Sequence, residues 1–230
     1  MSGDKGRRYM KDLIKMKILC LGDSITAGIG GTVGNSYPDI MGKRLRNEGI
    51  GTEVINNGRP GDSTKDFFNY LVTTINTIDN LKELIPWFKP LVCYDLVIIM
   101  LGTNDCRSDN WVDSEDSIKY LEKIIDFVHQ WVNEKKHILI STIIPLSDPM
   151  PPKIVGGAHK WKQNRIKKEL NPAIKDLARK KKISFFDMYE PFKKEITSGK
   201  ELYDGIHPYN KGYKFMGNQM AEYIIKRFIE

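Results

Sequence analysis

The chain has 230 residues, 40% of them hydrophobic, with 36 Lys and Arg against 29 Asp and Glu for a net charge of +7. Its apolar residues fall in short runs, none near the roughly 18 that a membrane-spanning helix requires, so no membrane span is expected. Three cysteines, Cys20, Cys93 and Cys106, have neither metal-clip nor redox-pair spacing, which argues against a disulfide scaffold and fits a reducing compartment.

Residues 1–15 read as a basic N-terminal segment, followed by a single domain over 16–230. The first 17 residues contain no apolar h-region and no small-residue cleavage site, so no secretory signal is expected and a cytoplasmic setting follows. Residues 16–21 form a short apolar run that reads as a strand buried on both faces. It ends in Gly22-Asp23-Ser24, a tight turn that sets a hydroxyl just beyond a strand's carboxyl end. Glycines 28, 30, 31 and 34 then lead through Pro38 into a helix ending near residue 49. They miss dinucleotide-loop spacing, because Val33 stands where the last glycine is needed.

Residues 52–55 predict a second strand, followed by a turn over 56–64 in which Asp62, Ser63 or Thr64 can cap the next helix. That helix is predicted over 65–89. Residues 96–101 form a third strand, an unbroken apolar run suited to the centre of a parallel sheet, and deliver Gly102-Thr103-Asn104-Asp105. Acidic residues 113–116 suit the positive end of the next helix, whose buried face is marked by Ile118, Leu121, Ile125 and Val128. A fourth strand covers 137–142. Residues 143–157, rich in proline, read as a loop long enough to cover a site.

The segment 160–182 holds much of the basic excess. Its apolar Ile166, Leu170, Ile174 and Leu177 recur at helical spacing, which puts the lysines on the solvent side. No nucleic-acid motif accompanies the charge, so nucleic-acid binding is not expected. A fifth strand at 183–186, a short helix over 193–199, a loop over 202–208 and a final helix capped by Asn210 complete the chain. Strands alternating with helices imply a parallel sheet covered on both faces.

The chemistry-bearing residues fall on the loops that follow these strands. A serine hydroxyl is a weak nucleophile at neutral pH and needs a base within hydrogen-bond reach, itself held by a third group. Ser24, His207 and Asp204 are those three types, and Asp204-x-x-His207 carries two of them on one loop. The Ser24 N–H, the Gly61 N–H and the Asn104 side-chain amide are candidate donors to an oxyanion.

Four blocks, Gly22-Asp23-Ser24-Ile25-Thr26, Asn57-Gly58-x-x-Gly61-Asp62, Gly102-Thr103-Asn104-Asp105 and Asp204-Gly205-x-His207-Pro208, resemble those of the SGNH, or GDSL-type, hydrolases in content and order. The resemblance implies a three-layer α/β/α, flavodoxin-like fold with about five strands and no metal or organic cofactor. It implies Ser24 as nucleophile, His207 as base and Asp204 as its orienter, with Ser24, Gly61 and Asn104 as oxyanion hole. The partner it implies is a small-molecule ester. Asp23, Arg107 and Tyr209 are candidate substrate-lining residues.

The glycine-rich and polar loops expected around Ser24 offer little continuous apolar surface. The expectation is therefore a short-acyl or acetyl ester of a small molecule or carbohydrate. Two alternatives stand beside it: a lysophospholipase or acyl-thioesterase with a groove along Phe67, Phe68, Trp87 and Phe88, and a non-catalytic α/β binding module.

Overall fold

The computed structural model describes residues 16–84, 93–106, 112–146, 159–195 and 202–230. Five strands, β1 (Met16–Gly22), β2 (Thr52–Gly58), β3 (Leu96–Met100), β4 (Ile138–Ser141) and β5 (Ser184–Phe186), form one parallel sheet in the order β2-β1-β3-β4-β5. The connections hold α1 (Ser24–Ala27), α2 (Tyr37–Asn47), α3 (Thr64–Leu84), α4 (Ser114–Val128), α5 (His159–Arg165), α6 (Asn171–Lys181), α7 (Tyr189–Glu195) and α8 (Asn210–Ile224).

Successive side chains of a strand point to opposite faces, and both faces here are apolar. Leu19 and Leu21 of β1, Val97 and Ile99 of β3, and Ile138 and Ile140 of β4 pack on one side against α3, α4 and α6 through Phe67, Leu121, Ile125 and Ile174. Ile18, Cys20, Leu96, Ile98 and Leu139 turn to the other side, where Tyr37 and Met41 of α2, Phe192 of α7, and Tyr213 and Met216 of α8 meet them. The result is the three-layer α/β/α arrangement expected from the alternation. Among the described residues no helix is long and apolar enough to cross a membrane.

Several elements differ from the sequence reading for identifiable reasons. β2 runs to Gly58, because Asn56, Asn57 and Gly58 stay in register with Cys20, Leu21 and Gly22. Asn-Asn-Gly is turn chemistry by composition, yet here the Asn56 side chain donates to the Thr26 carbonyl (2.8 Å) and accepts from the Gly58 N–H (2.9 Å), so these polar residues continue the strand. The helix after β2 begins at Thr64, and Ser63 caps it in a reciprocal arrangement with Asp66. Its expected continuation over 85–89, with Trp87 and Phe88, lies outside the described residues, as do 147–157 of the proline-rich loop.

The helix expected at 193–199 is instead α7. It starts at Tyr189 because Asp187 accepts the Tyr189 N–H (3.0 Å) and Phe192 is buried; residues 196–199 lie outside the described set. In the basic helical stretch Lys162 is 6% exposed. It stands four residues before Ile166 and so continues the buried stripe. Arg165, at 3% exposure, donates to the carbonyls of Asp105 (2.7 Å) and Val112 and to the Ser114 hydroxyl (3.0 Å).

The strand order places the site. From β1 the chain crosses to β2 at one edge, then returns past β1 to β3. The loops leaving the carboxyl ends of β1 and β3 therefore diverge, and the crevice between them is where open α/β sheets bind ligands.

Candidate active site

Ser24 opens α1 immediately after β1. The Asp23 carboxylate caps this short helix by accepting the Ile25 N–H (2.9 Å), and Gly28 closes it in a left-handed conformation. Gly22 has to be glycine, since a Cβ there would fall 2.0 Å from the Thr26 hydroxyl and 2.4 Å from the Met100 carbonyl. A side chain at that position would push α1 off the sheet end and Ser24 with it.

The loop before α8 brings its imidazole to this serine across 183 residues of sequence. His207 Nε2 lies 2.7 Å from Ser24 Oγ, and His207 Nδ1 lies 2.7 Å from Asp204 Oδ2. Asp204 Oδ1 accepts the backbone N–H groups of Ile206 (3.0 Å) and His207 (2.9 Å), which folds the loop into the geometry that aims the ring. Partial burial opposes the Asp204 charge, but the bonds from the His207 ring and from these amides outweigh it and bring the carboxyl down to about 2. An ionised carboxylate only accepts hydrogen bonds, so Nδ1 carries the ring proton and Nε2 is left to accept from the Ser24 hydroxyl.

The loops that follow β2 and β3 are joined to each other. Asn104, in the single 3₁₀ turn 104–106 after β3, donates its amide to the Asp62 carbonyl (3.0 Å), which leaves that amide a second hydrogen. Gly61 precedes Asp62 in a left-handed conformation (φ +88°) that its lack of a Cβ allows. Among the described residues neither the Ser24 N–H nor the Gly61 N–H donates to another protein atom. Three donors thus lie on the three loops that leave the same edge of the parallel sheet, and the serine on the first of these loops is only 7% exposed.

Of the remaining expected site residues, Asp23 is 1% exposed, so it is an interior helix cap and does not line the site. Burial pushes its carboxyl up to about 6, against the Ile25 N–H, the Thr103 side chain and the charge of His207, while nearby Asp105 adds to the rise. Tyr209 is 42% exposed beside the His207 loop, and Arg107 lies outside the described residues. Asn210 does not cap α8, whose cap residue is Tyr209; its side chain instead accepts the Thr32 N–H (2.8 Å) and donates to the Thr32 hydroxyl (3.1 Å).

Sequence reasoning missed the supports beneath the donor loops. Asp105 is fully buried and accepts both the N–H (3.0 Å) and the hydroxyl (2.5 Å) of Thr64, tying the start of α3 to the turn that carries Asn104. Arg165 holds the same turn through the Asp105 carbonyl. The adjacency of Asp105 to Asn104 is the one signal that points to the first. Nothing local points to the second, which sits among lysines.

Residues 20–215 match the GDSL-like lipase/acylhydrolase family, and the chain belongs to it. It is 30% identical over 197 residues to an N-acylneuraminate cytidylyltransferase of Escherichia coli O18:K1:H7, a match covering 84% of this chain and 39% of that protein. It is 27% identical to an acetylxylan esterase of Xylanibacter ruminicola, covering 90% of this chain and 42% of the other. Among solved structures, a lipase/acylhydrolase from Enterococcus faecalis superposes with a TM-score of 0.66 at 25% identity, covering 92% of this chain and 96% of that one. The chain spans less than half the length of the curated relatives it matches.

Proposed function

We propose that this chain is a serine esterase that cleaves carboxylic esters through an acyl-enzyme, acting on short-acyl, above all acetyl, esters of a soluble small molecule or carbohydrate. Ser24 Oγ attacks the ester carbonyl while His207 Nε2 takes its proton. Asp204 holds the ring and favours the imidazolium that forms. The carbonyl oxygen gains charge as the tetrahedral intermediate forms, and the Ser24 and Gly61 N–H groups with the Asn104 amide stabilise it. His207 then returns the proton to the leaving alcohol, and water, activated by the same ring, releases the acid and restores Ser24.

The observation that carries this reading is the continuous chain of two 2.7 Å contacts from Asp204 through His207 to Ser24. For the acyl size, support comes from what borders Ser24. The turns after β1 and β2 are mostly glycine and polar residues, with Ile29 and Val33 the isolated exposed apolar side chains there, and Phe67, an aromatic of the alternative acyl groove, is wholly buried in the core. A long acyl chain needs many methylenes buried together, since each contributes only about 0.8 kcal/mol. Relatives named as an acetylxylan esterase and a multidomain esterase favour the same class.

The test is kcat/KM across p-nitrophenyl acetate, butyrate and octanoate below the micellar limit, with Ser24→Ala as control. Activity should fall from acetate to octanoate and drop by at least about 10³-fold in the variant, which should stay folded. A rise toward octanoate would favour the lysophospholipase or thioesterase alternative. Undiminished turnover by Ser24→Ala would sink the nucleophile assignment.

A further inference from the structure

Large hydrophobic side chains stand exposed at only a few places among the described residues, namely Ile29, Val33, Tyr203, Tyr209 and Ile229. Four of these belong to the two loops that meet at His207. Tyr203 and Tyr209 rise from the two arms of the catalytic loop, which are closed by an antiparallel bridge between Leu202 and Pro208 and by the Tyr203 N–H to the His207 carbonyl (2.7 Å). Their rings stand edge to face, with centroids 5.7 Å apart and planes at 89°, and remain 59% and 42% exposed.

The second loop lies directly against the first. The Ile29 N–H donates to the Ser24 carbonyl (3.0 Å), and a Cβ on Gly30 would lie 3.1 Å from His207 Cβ and 3.3 Å from Tyr203 Cβ. This wall is built and held: the Tyr213 hydroxyl donates to the Ile29 carbonyl (2.7 Å), and Asn210 and Asn35 both bond Thr32. The 28–36 loop and the His207 loop therefore form one continuous surface next to the Ser24–His207 pair, on which exposed Ile29, Tyr203 and Tyr209 stand near the amides of Asn210 and Asn35 and the Thr32 hydroxyl.

Which part of an ester meets this wall follows from the chemistry. The acyl oxygen must face Gly61 and Asn104, on the loops after β2 and β3. The leaving oxygen must face His207, which protonates it. The wall stands on the His207 side, so it takes the alcohol. Two tyrosines set at a right angle beside amides suit an alcohol with one apolar face and a polar edge, as a pyranose ring has, and suit a plain alkyl alcohol less well.

We propose that Ile29, Tyr203 and Tyr209 form the subsite for the alcohol half of the substrate, a pyranose ring stacked by its C–H face on a tyrosine, with the Asn210 and Asn35 amides reading its hydroxyls. This rests on Ser24 being the nucleophile. It assigns the preference for a sugar ester to residues of the His207 loop and its neighbour.

The test compares kcat/KM for a mono-acetylated methyl xylopyranoside with that for ethyl acetate, which has no ring, and for cyclohexyl acetate, which has a ring without hydroxyls. Tyr203→Ala and Tyr209→Ala should each lower the xylopyranoside-to-ethyl-acetate ratio by up to about tenfold, mainly through KM. Ile229→Ala should leave the ratio unchanged, and Tyr209→Phe should retain most of it. An unchanged ratio in both alanine variants, or a wild-type preference for cyclohexyl acetate over the xylopyranoside, would overturn the subsite. A second measurement needs no turnover: saturation-transfer NMR should show methyl xylopyranoside binding to Ser24→Ala and weaker binding once Tyr209→Ala is added, and equal signals would again overturn it. Failure of the esterase reading would appear separately, as wild-type inactivity toward all three esters.

Discussion

The turn after β1 and the loop before α8 each bring a carboxylate close to the Ser24–His207 contact, and they hold it in opposite states. In the turn, Asp23 is 1% exposed; Oδ1 accepts the Ile25 N–H, and the Thr103 side chain adds a further favourable contact. In the loop, Asp204 keeps some contact with solvent and accepts two backbone N–H groups and the imidazole. Burial pushes the first up to about 6; for the second it is outweighed by hydrogen bonds, which bring the carboxyl down to about 2. Depth of burial, set against the hydrogen bonds that reach each carboxylate, decides which one supplies a fixed negative charge. That is the property the orienter role proposed for Asp204 needs and a helix cap does not.

Substitution separates the two carboxylates most sharply in turnover. His207→Ala should remove nearly all activity, since no other base contacts Ser24 among the described residues, and Asp204→Asn should cost about 10²- to 10⁴-fold by disturbing the ring's tautomer. Asp23→Asn should change kcat/KM by less than about fivefold, because asparagine caps a helix as well as aspartate does. Equal losses in the Asp23 and Asp204 variants, measured on p-nitrophenyl acetate, would erase the distinction.

A smaller effect is expected on the loop after β3. The Asn104 amide has one hydrogen committed to the Asp62 carbonyl, and in the proposed mechanism the second meets charge that develops only in the transition state. Asn104→Ala should lower kcat by about 10²- to 10³-fold with KM nearly unchanged. A loss confined to KM would instead make Asn104 a substrate-binding group.

The contrast between Asp23 and Asp204 also shows where sequence reading reaches its limit. The layered fold was legible because apolar runs and helical spacing are local, and Leu19, Ile99 and Leu121 announce their burial by pattern alone. The contact of Ser24 with His207 and of His207 with Asp204 was legible through the specific blocks around them, which resemble those of a known family in content and order. Whether a particular aspartate is interior was not legible. Asp23 and Asp204 both stand beside a glycine in polar turns, and only the tertiary packing of α1 against the sheet end buries the first. The same holds for Arg165, whose three acceptors come from segments 51 to 60 residues away in sequence.

The smallest effect, and the one most specific to the comparison, is on stability against pH. For Asp23 the folded state holds its proton more tightly than the unfolded chain does. Its contribution is therefore fully present below the ordinary carboxylate range near pH 4 and is lost as pH rises through about 6. For Asp204 the folded state favours the ionised form, so its contribution is present above about pH 4 and is lost as pH falls toward 2. Asparagine titrates at neither position, so the difference in unfolding free energy between wild type and each variant isolates the term. The wild-type minus Asp23→Asn difference should fall between pH 4 and 6, by on the order of 3 kcal/mol at most for a shift of about two units. The wild-type minus Asp204→Asn difference should rise between pH 2 and 4, by less, because solvent screens that carboxylate. Urea melts at half-unit steps across both windows read the two slopes. An Asp23 difference that stays flat from pH 4 to 6 would mean that solvent reaches its carboxyl, and the two carboxylates would then be far more alike than their surroundings imply.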